Sequence, residues 1–406
     1  MFTSLVERMQ PTTDNGRTFA RYSGILAVLV VAWLIPNYIA TSTEGPLPLF
    51  TVVLCAVYAL FALGLNIVVG FAGLLDLGYV AFFLFGAYTS AWLMSDFFYQ
   101  VNPRDPSDKQ FSFSVHFLST ASSKIAGIHL SFWIVIIAAA AIAAVAGLVI
   151  GAPTLRLKSD YLALVTLGFG EILPEVFRNG DNVAGYNLTN GTKGIGPVDR
   201  IGMGFLDKLP GIPSTIVSSD YKTKYYVILL FCALFMYASI KLRDGRLGRA
   251  WMAIREDELA ASLMGVPLMR TKLWSYAVGA IAGGVGGAFY ATIVGTVNVD
   301  NFTFSFSIIV LCAVILGGMG NVWGAVLGGV AITWFNYTGL VYIGAQVNKG
   351  LGTHINLKNY EFMFFGFVLV LMMLFRPEGF IPAARSKQLK KADKQVQSIE
   401  TAGVES

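Results

Sequence analysis

Two carboxylates, Asp76 and Glu171, stand inside apolar stretches of this sequence. An ionisable group there is costly, and it marks a solute path, a proton relay or a buried polar partner. Asp76 belongs to the run Gly70-Phe-Ala-Gly-Leu-Leu-Asp-Leu-Gly78, in which Gly70, Gly73 and Gly78 free the backbone to turn. Backbone N–H and C=O groups exposed at such a break bind the charged ends of a zwitterion without a charged side chain. Asp76 has a second reading, as an interfacial carboxylate capping the helix that follows. Glu171 lies in Leu164-Val-Thr-Leu-Gly-Phe-Gly-Glu-Ile172, with Thr166, Gly168 and Gly170 close by. It lines the same path, or it makes a structural hydrogen bond to a neighbouring helix.

The elements that hold these residues must lie in a membrane. Hydrophobic residues make up 55% of the 406 and charged residues only 13%, well below the roughly 25% of soluble domains. A span takes about 20 apolar residues, fewer where it is broken or covered by protein. Ten segments are expected: Gly24–Ala40, Leu49–Gly70, Val80–Met94, Leu130–Ala152, Tyr161–Phe177, Tyr225–Ile240, Leu273–Gly295, Phe304–Leu316, Val322–Ile343 and Tyr360–Phe375. The fold class is therefore all-α, a polytopic helical bundle with broken or re-entrant helices. Gly73–Gly78 and Gly317–Gly320 interrupt apolar runs and are expected as non-helical backbone at membrane depth. Two similar patterns, Leu49–Met94 and Ser307–Ile343, suggest internal pseudo-symmetry of the kind transporters use. Gly279, Gly283 and Gly287 recur every four residues, a small face for close helix packing, within the chain or against a partner.

Charge sets the orientation. Eighteen of the 29 Lys and Arg residues fall in the arm 1–23, the link 153–160, the loop 241–272 and the tail from Arg376. The remaining 11 are spread over the longer loops 95–129, 178–224 and 344–359. Short basic loops mark the cytoplasmic side, so both termini are expected there. The division expected is an arm over 1–23, a transmembrane domain over 24–380 and a basic, disordered tail over 381–406 beside anionic lipid. The first span reads as a retained anchor, since no cleavable leader precedes it. The net charge of +5 does not point to nucleic acid, because the basic residues sit beside spans.

Within the basic loop 241–272, Glu258, Ala260, Ala261 and Gly265 stand in the order acid, Ala-Ala, three residues, Gly. Ala260 and Ala261 leave a helix surface that a partner can approach closely, and Gly265 before Val266 and Pro267 ends that helix. A short helix held out to the cytoplasm is built to be gripped. Other chemistry has no support. No Gly-x4-Gly-Lys-[Ser/Thr] phosphate loop occurs, so no nucleotide site or other cofactor site is expected in this chain. Cys55, Cys232 and Cys312 are isolated in apolar segments, without metal-ligand spacing. Three readings of the residues stand: a permease driven by separate ATPases, an ion-coupled transporter using Asp76 or Glu171, and an intramembrane enzyme using those acids. Only the first needs the cytoplasmic Ala-Ala-x3-Gly helix.

Four blocks in order carry a family resemblance. Gly64–Tyr88 resembles the second-to-third-span signature of branched-chain amino-acid ABC permeases of the LivM type. Leu155–Ile172 is similar to that family's next block, Arg255–Gly265 to its ATPase-coupling loop, and Phe375–Gly379 to its closing motif. The resemblance runs from about Leu49 to Ile381, and the chain departs from the pattern in its long outer loops. It implies a multi-pass protein of the bacterial inner membrane, paired with a second, LivH-like permease. Two cytoplasmic ATPase subunits and a periplasmic binding protein would complete the importer. Glu258, Ala260, Ala261 and Gly265 would dock in an ATPase groove, flanked by Arg255 and Glu256. Urea permeases of the same superfamily are the alternative substrate class.

Overall fold

The structure, a computed structural model, describes residues 34–36, 47–100, 114–117, 126–157, 159–202, 221–351, 356–376 and 379–381. The arm 1–23, most of the first expected span, His354 and the tail beyond Ile381 lie outside them. The described chain is a helical bundle with one small sheet.

Helix α1 (Leu49–Leu65) is apolar on every face, which suits an element surrounded by other helices. It enters from Pro48, whose missing N–H costs no bond at a helix start. It continues as a π turn over Asn66–Phe71 and stops at Gly73, where φ is +70°. After the break, α2 (Val80–Leu93) runs back the other way. At 14 residues it covers roughly 21 Å, short of the ≈30 Å hydrocarbon core, so the break and its neighbours complete the crossing. At its far end β1 (Met94–Ser95) pairs antiparallel with β3 (Ile128–Leu130), which also pairs in parallel with β2 (Val115–Phe117).

Helices α3 (Phe132–Thr154), α4 (Ser159–Arg178) and α5 (Tyr221–Asp244) follow. Two short helices then fill the basic loop, α6 (Arg246–Glu256) and α7 (Glu258–Leu263). The long α8 (Leu268–Val294) packs against α1, α2 and α3. Its glycines make this possible. A Cβ at Gly287 would sit 2.4 Å from the Phe83 carbonyl oxygen, and one at Gly279 would sit 2.6 Å from Val68. Gly283 likewise lies against Phe82 of α2. This small-residue face is used inside the chain.

Helices α9 (Phe304–Gly317) and α10 (Val322–Trp334) form the second broken pair. Gly318 and Gly320 turn with φ of +117° and +81°, and Asn321 caps α10 by accepting from Trp323 N and Gly324 N. A π turn (Phe335–Gly339) joins α10 to α11 (Leu340–Leu351), and α12 (Glu361–Phe375) ends at Arg376. Phe61, Phe83 and Phe306 meet edge-to-face or tilted at the centre.

Six helical stretches among the described residues are long and apolar enough to cross a membrane: Leu49–Phe71, Phe132–Thr154, Tyr221–Asp244, Leu268–Val294, Val299–Gly317 and Val322–Gly350. The protein is a multi-pass helical membrane protein. The expected segments Val80–Met94 and Tyr360–Phe375 are helical but shorter. The expected Tyr161–Phe177 lies in α4, which is long enough, but Asp160, Glu171, Glu175 and Arg178 keep it from being apolar throughout.

Candidate functional site

The two breaks meet at the end of the bundle that carries the basic loop. Asn66 reaches from the π turn of α1 and its Oδ1 accepts from Gly320 N at 2.9 Å, tying one break to the other. Gly70 leaves room for this: a Cβ there would lie 2.1 Å from Asn66 Oδ1 and 2.5 Å from Gly320 N. The segment after α12 lies on the second break, with Phe380 N donating to Leu316 O and Ile381 N to Gly317 O at 2.9 and 3.0 Å.

Asp76 is buried within the first break. Its Oδ1 accepts from Gly78 N at 2.9 Å, a bond inside the break and not the expected helix cap, since α2 starts at Val80 and has no side-chain cap. Its Oδ2 is buried with no hydrogen-bond partner among the described residues. Gly78 rests on α4, where a Cβ would come 2.2 Å from the Thr166 carbonyl oxygen, and Thr166 Oγ1 accepts from Leu77 N at 3.1 Å. Gly170 lies on the same inner face, 3.2 Å from Gly78 by its would-be Cβ. Glu171 points the other way and is exposed, among the exposed Leu164, Ile172 and Val176. Gly168 has open space at its Cβ position. The pathway candidates thus divide: Gly70, Gly73, Asp76, Gly78, Thr166 and Gly170 are gathered in one seam, while Gly168 and Glu171 are not part of it.

The basic loop is fastened to that seam. Arg255, near the end of α6, donates from Nη1 to Gly70 O, and its side chain covers Gly73. Trp251 is fully buried and its Nε1 donates to Thr271 O at 2.8 Å, fixing α6 to the start of α8. Asp257 caps α7 by accepting from Leu259 N and Ala260 N. Glu258 accepts from Lys272 Nζ at 2.6 Å, with the Lys272 side chain 6% exposed and that of Glu258 45% exposed. Glu256 is exposed. Gly265 adopts φ of +84°, the left-handed geometry that ends α7.

The two alanines do different things. Ala260 is exposed, but Ala261 is 3% exposed and turned into the chain's own packing. The surface that α7 holds out is instead apolar: Leu259, Leu263 and Met264 are 71%, 80% and 85% exposed. Leu259 and Leu263 are four residues apart and so share a face. The sequence carried a signal for this face, two leucines at that spacing on a short helix of a polar loop, and Ala261 is that helix's one buried residue. The bond from Arg255 to Gly70 had no signal, because it joins segments 185 residues apart.

A family model described as branched-chain amino acid transport system / permease component matches residues 47–373. The high-affinity branched-chain amino acid transport system permease protein LivM of Salmonella typhimurium is 31% identical over 389 residues, 93% of this chain and 78% of that one. LivM of Escherichia coli is 32% identical over 378 residues, 90% of this chain and 75% of that one. The Salmonella typhimurium permease protein LivH is 32% identical over a shorter 116 residues, 28% of this chain and 37% of that one. No solved structure is significantly similar to the chain. The matched region holds both breaks, the seam and the fastened loop, and the chain belongs to the branched-chain amino acid transport system permease family.

Proposed function

We propose that this chain is one of two permease subunits of an ATP-driven importer for branched-chain amino acids in a bacterial inner membrane. The other is a LivH-like permease, two ATPase subunits supply the energy from the cytoplasm, and a periplasmic binding protein delivers the substrate. The chain binds no ATP and needs no cofactor of its own. The observation that carries the reading is the α7 surface. Three large apolar side chains stand exposed on a polar loop at the basic end of the bundle, where a solvated loop would keep polar ones. They fit an apolar groove on an ATPase subunit.

The fastening gives the surface a purpose. A push on α7 reaches α8 through Glu258 and Lys272, and reaches the first break through Arg255 and the Gly70 carbonyl. Thr166 and Gly170 then carry it to α4. Glu171, a carboxylate exposed among Leu164, Ile172 and Val176, is costly against lipid. That face of α4 is covered by the second permease, with Glu171 towards the shared path.

The test is reconstitution of the chain with its partner permease, ATPase subunits and binding protein in proteoliposomes. Uptake of labelled leucine should require ATP and persist when proton and sodium gradients are collapsed. Leu263→Arg should leave the permease pair assembled but release the ATPase subunits. Losing a buried leucine costs about 1.5–3 kcal/mol and burying an unpaired charge costs several more, together a loss of binding by more than about a hundredfold. ATPase activity in the isolated chain, or leucine uptake that needs an ion gradient at constant ATP, would refute the importer.

A further inference from the structure

At the end of the bundle opposite the basic loop, a cavity of about 180 Å³ opens between α1, α8, α9, α12 and the π turn after α10. Its rim carries Asn301 and Thr303, on the segment that leads from α8 into α9. Its inner wall is aromatic, with Tyr58, Phe306, Tyr290 and Tyr337. The volume equals roughly six waters at ≈30 Å³ each. That is below the ≈300–1,000 Å³ of sites for drug-sized ligands and suits one small solute.

An ion pair stands in this opening. Lys358, in the turn before α12, donates from Nζ to Glu361, to the Asn336 side-chain oxygen and, at 2.9 Å, to the Asn336 carbonyl. Asn336 is buried in the π turn, and such turns cluster at functional sites because they release backbone oxygens from the helix. The ammonium also lies 5.5 Å from the centre of the Tyr337 ring. The Tyr337 hydroxyl in turn lies 3.1 Å from that of Tyr58. Lys358 and Glu361 are only partly covered, so both charges are open to the cavity.

We propose that this cavity is a site where the chain receives one neutral amino acid as a zwitterion. The substrate carboxylate takes the place of Glu361 on the Lys358 ammonium. The Glu361 carboxylate, so released, takes the substrate ammonium. The aromatic wall takes an aliphatic side chain. Until the ligand arrives, the two charges neutralise each other, as groups near the membrane must. A zwitterion restores both pairings with opposite polarity, whereas an amine or a carboxylate alone leaves one charge unpaired. That is a selection for molecules carrying both groups. Transport thereby involves a side-chain charge clamp at the open end rather than the backbone of the Gly70–Gly78 break.

The inference rests on the importer reading. ATP-driven leucine uptake by the wild-type transporter reports on that reading alone, while the ratio of variant to wild type reports on the cavity. Uptake is measured in the full transporter with saturating binding protein, using labelled L-leucine. Lys358→Met and Glu361→Gln should each lower uptake at least tenfold with the ATPase subunits still bound. The double variant Lys358→Met/Glu361→Gln removes both charges together. A merely structural ion pair would tolerate that, so uptake restored to within about twofold of wild type overturns the proposal, and uptake as low as in the single variants supports it. Thr303→Trp, at the exposed rim and outside the ion pair, fills the mouth without touching either charge. It should block uptake at least tenfold at unchanged melting temperature, and normal uptake by it overturns the proposal whatever the charge variants do.

Discussion

The two ends of the bundle are built on opposite terms. At the basic end backbone meets backbone: two glycine breaks, the 379–381 segment and Arg255 close on one another without room for a single added methyl group at Gly70 or Gly78. At the other end a cavity stands open, and its charged groups are side chains. Close packing transmits displacement, since interiors are stiff and bistable rather than soft. An open, hydrated cavity transmits little but admits a solute. The contrast fits a chain that is moved from one end and loaded from the other.

The sharpest way to break this contrast is to overfill the seam. Gly70→Val should abolish uptake and lower the melting temperature, because overpacking a filled site costs about 1–3 kcal/mol or more and here also cuts the bond between Asn66 and Gly320. Gly168→Val is the control. Nothing lies within 4 Å of its Cβ position, so the described packing leaves it near wild type in melting temperature. Equal behaviour of the two variants would mean that the seam is not the tight element described.

A second, smaller contrast separates packing from docking within α7. Ala261→Glu puts a carboxylate into the chain's own interior and should reduce the yield of folded permease. Ala260→Glu should fold normally, being exposed. Its effect should be confined to co-purification of the ATPase subunits. Normal yields of both would show that the inward turn of Ala261 is not kept in the membrane. Arg255→Ala comes next. It removes a hydrogen bond with a charged donor, worth about 1.5–3 kcal/mol, and should lower uptake about tenfold while the ATPase subunits stay bound. Loss of those subunits would place Arg255 in the docking surface instead of the link.

Much of this architecture was legible in the sequence because it is local. Apolar runs place the helices, and the glycine clusters at 73–78 and 317–320 place both breaks. Gly265 ends α7, as its place before Val266 and Pro267 implies. What was not legible depends on segments far apart. Glu171 and Thr166 lie five residues apart on one helix, yet they face opposite ways, and only the packing of Gly78 decides which is inward. Ala261 looked like a contact surface because size is readable from sequence and direction is not. Lys358 and Glu361 drew no reading from the sequence, since Asn336 and Tyr58, which turn the pair into the edge of a cavity, are 22 and 300 residues away from Lys358 along the chain.

The smallest expected effect concerns the little sheet beyond α2. His129 Nδ1 lies 2.7 Å from Asp199 Oδ2, and the ring of His129 stacks on that of His116 at 5.0 Å. Burial pushes the Asp199 carboxyl above its ordinary 3.8, against the opposing pull of its bond to His129, and burial raises Asp96 as well. A carboxyl whose folded value is raised holds its proton more tightly folded than unfolded. Its contribution to stability is therefore full in acid and is lost as pH rises from about 4 through the folded value, above which it is constant. Amide exchange at Met94–Ser95 and Ile128–Leu130, corrected for intrinsic rates, should show protection falling over that range. Asp96→Asn should flatten the slope by taking away one of the two raised carboxyls. A slope of the opposite sign would show that the charge on His129, rather than burial of the two carboxyls, governs this sheet. The open end would then be held together by ion pairing of the same kind as at Lys358 and Glu361.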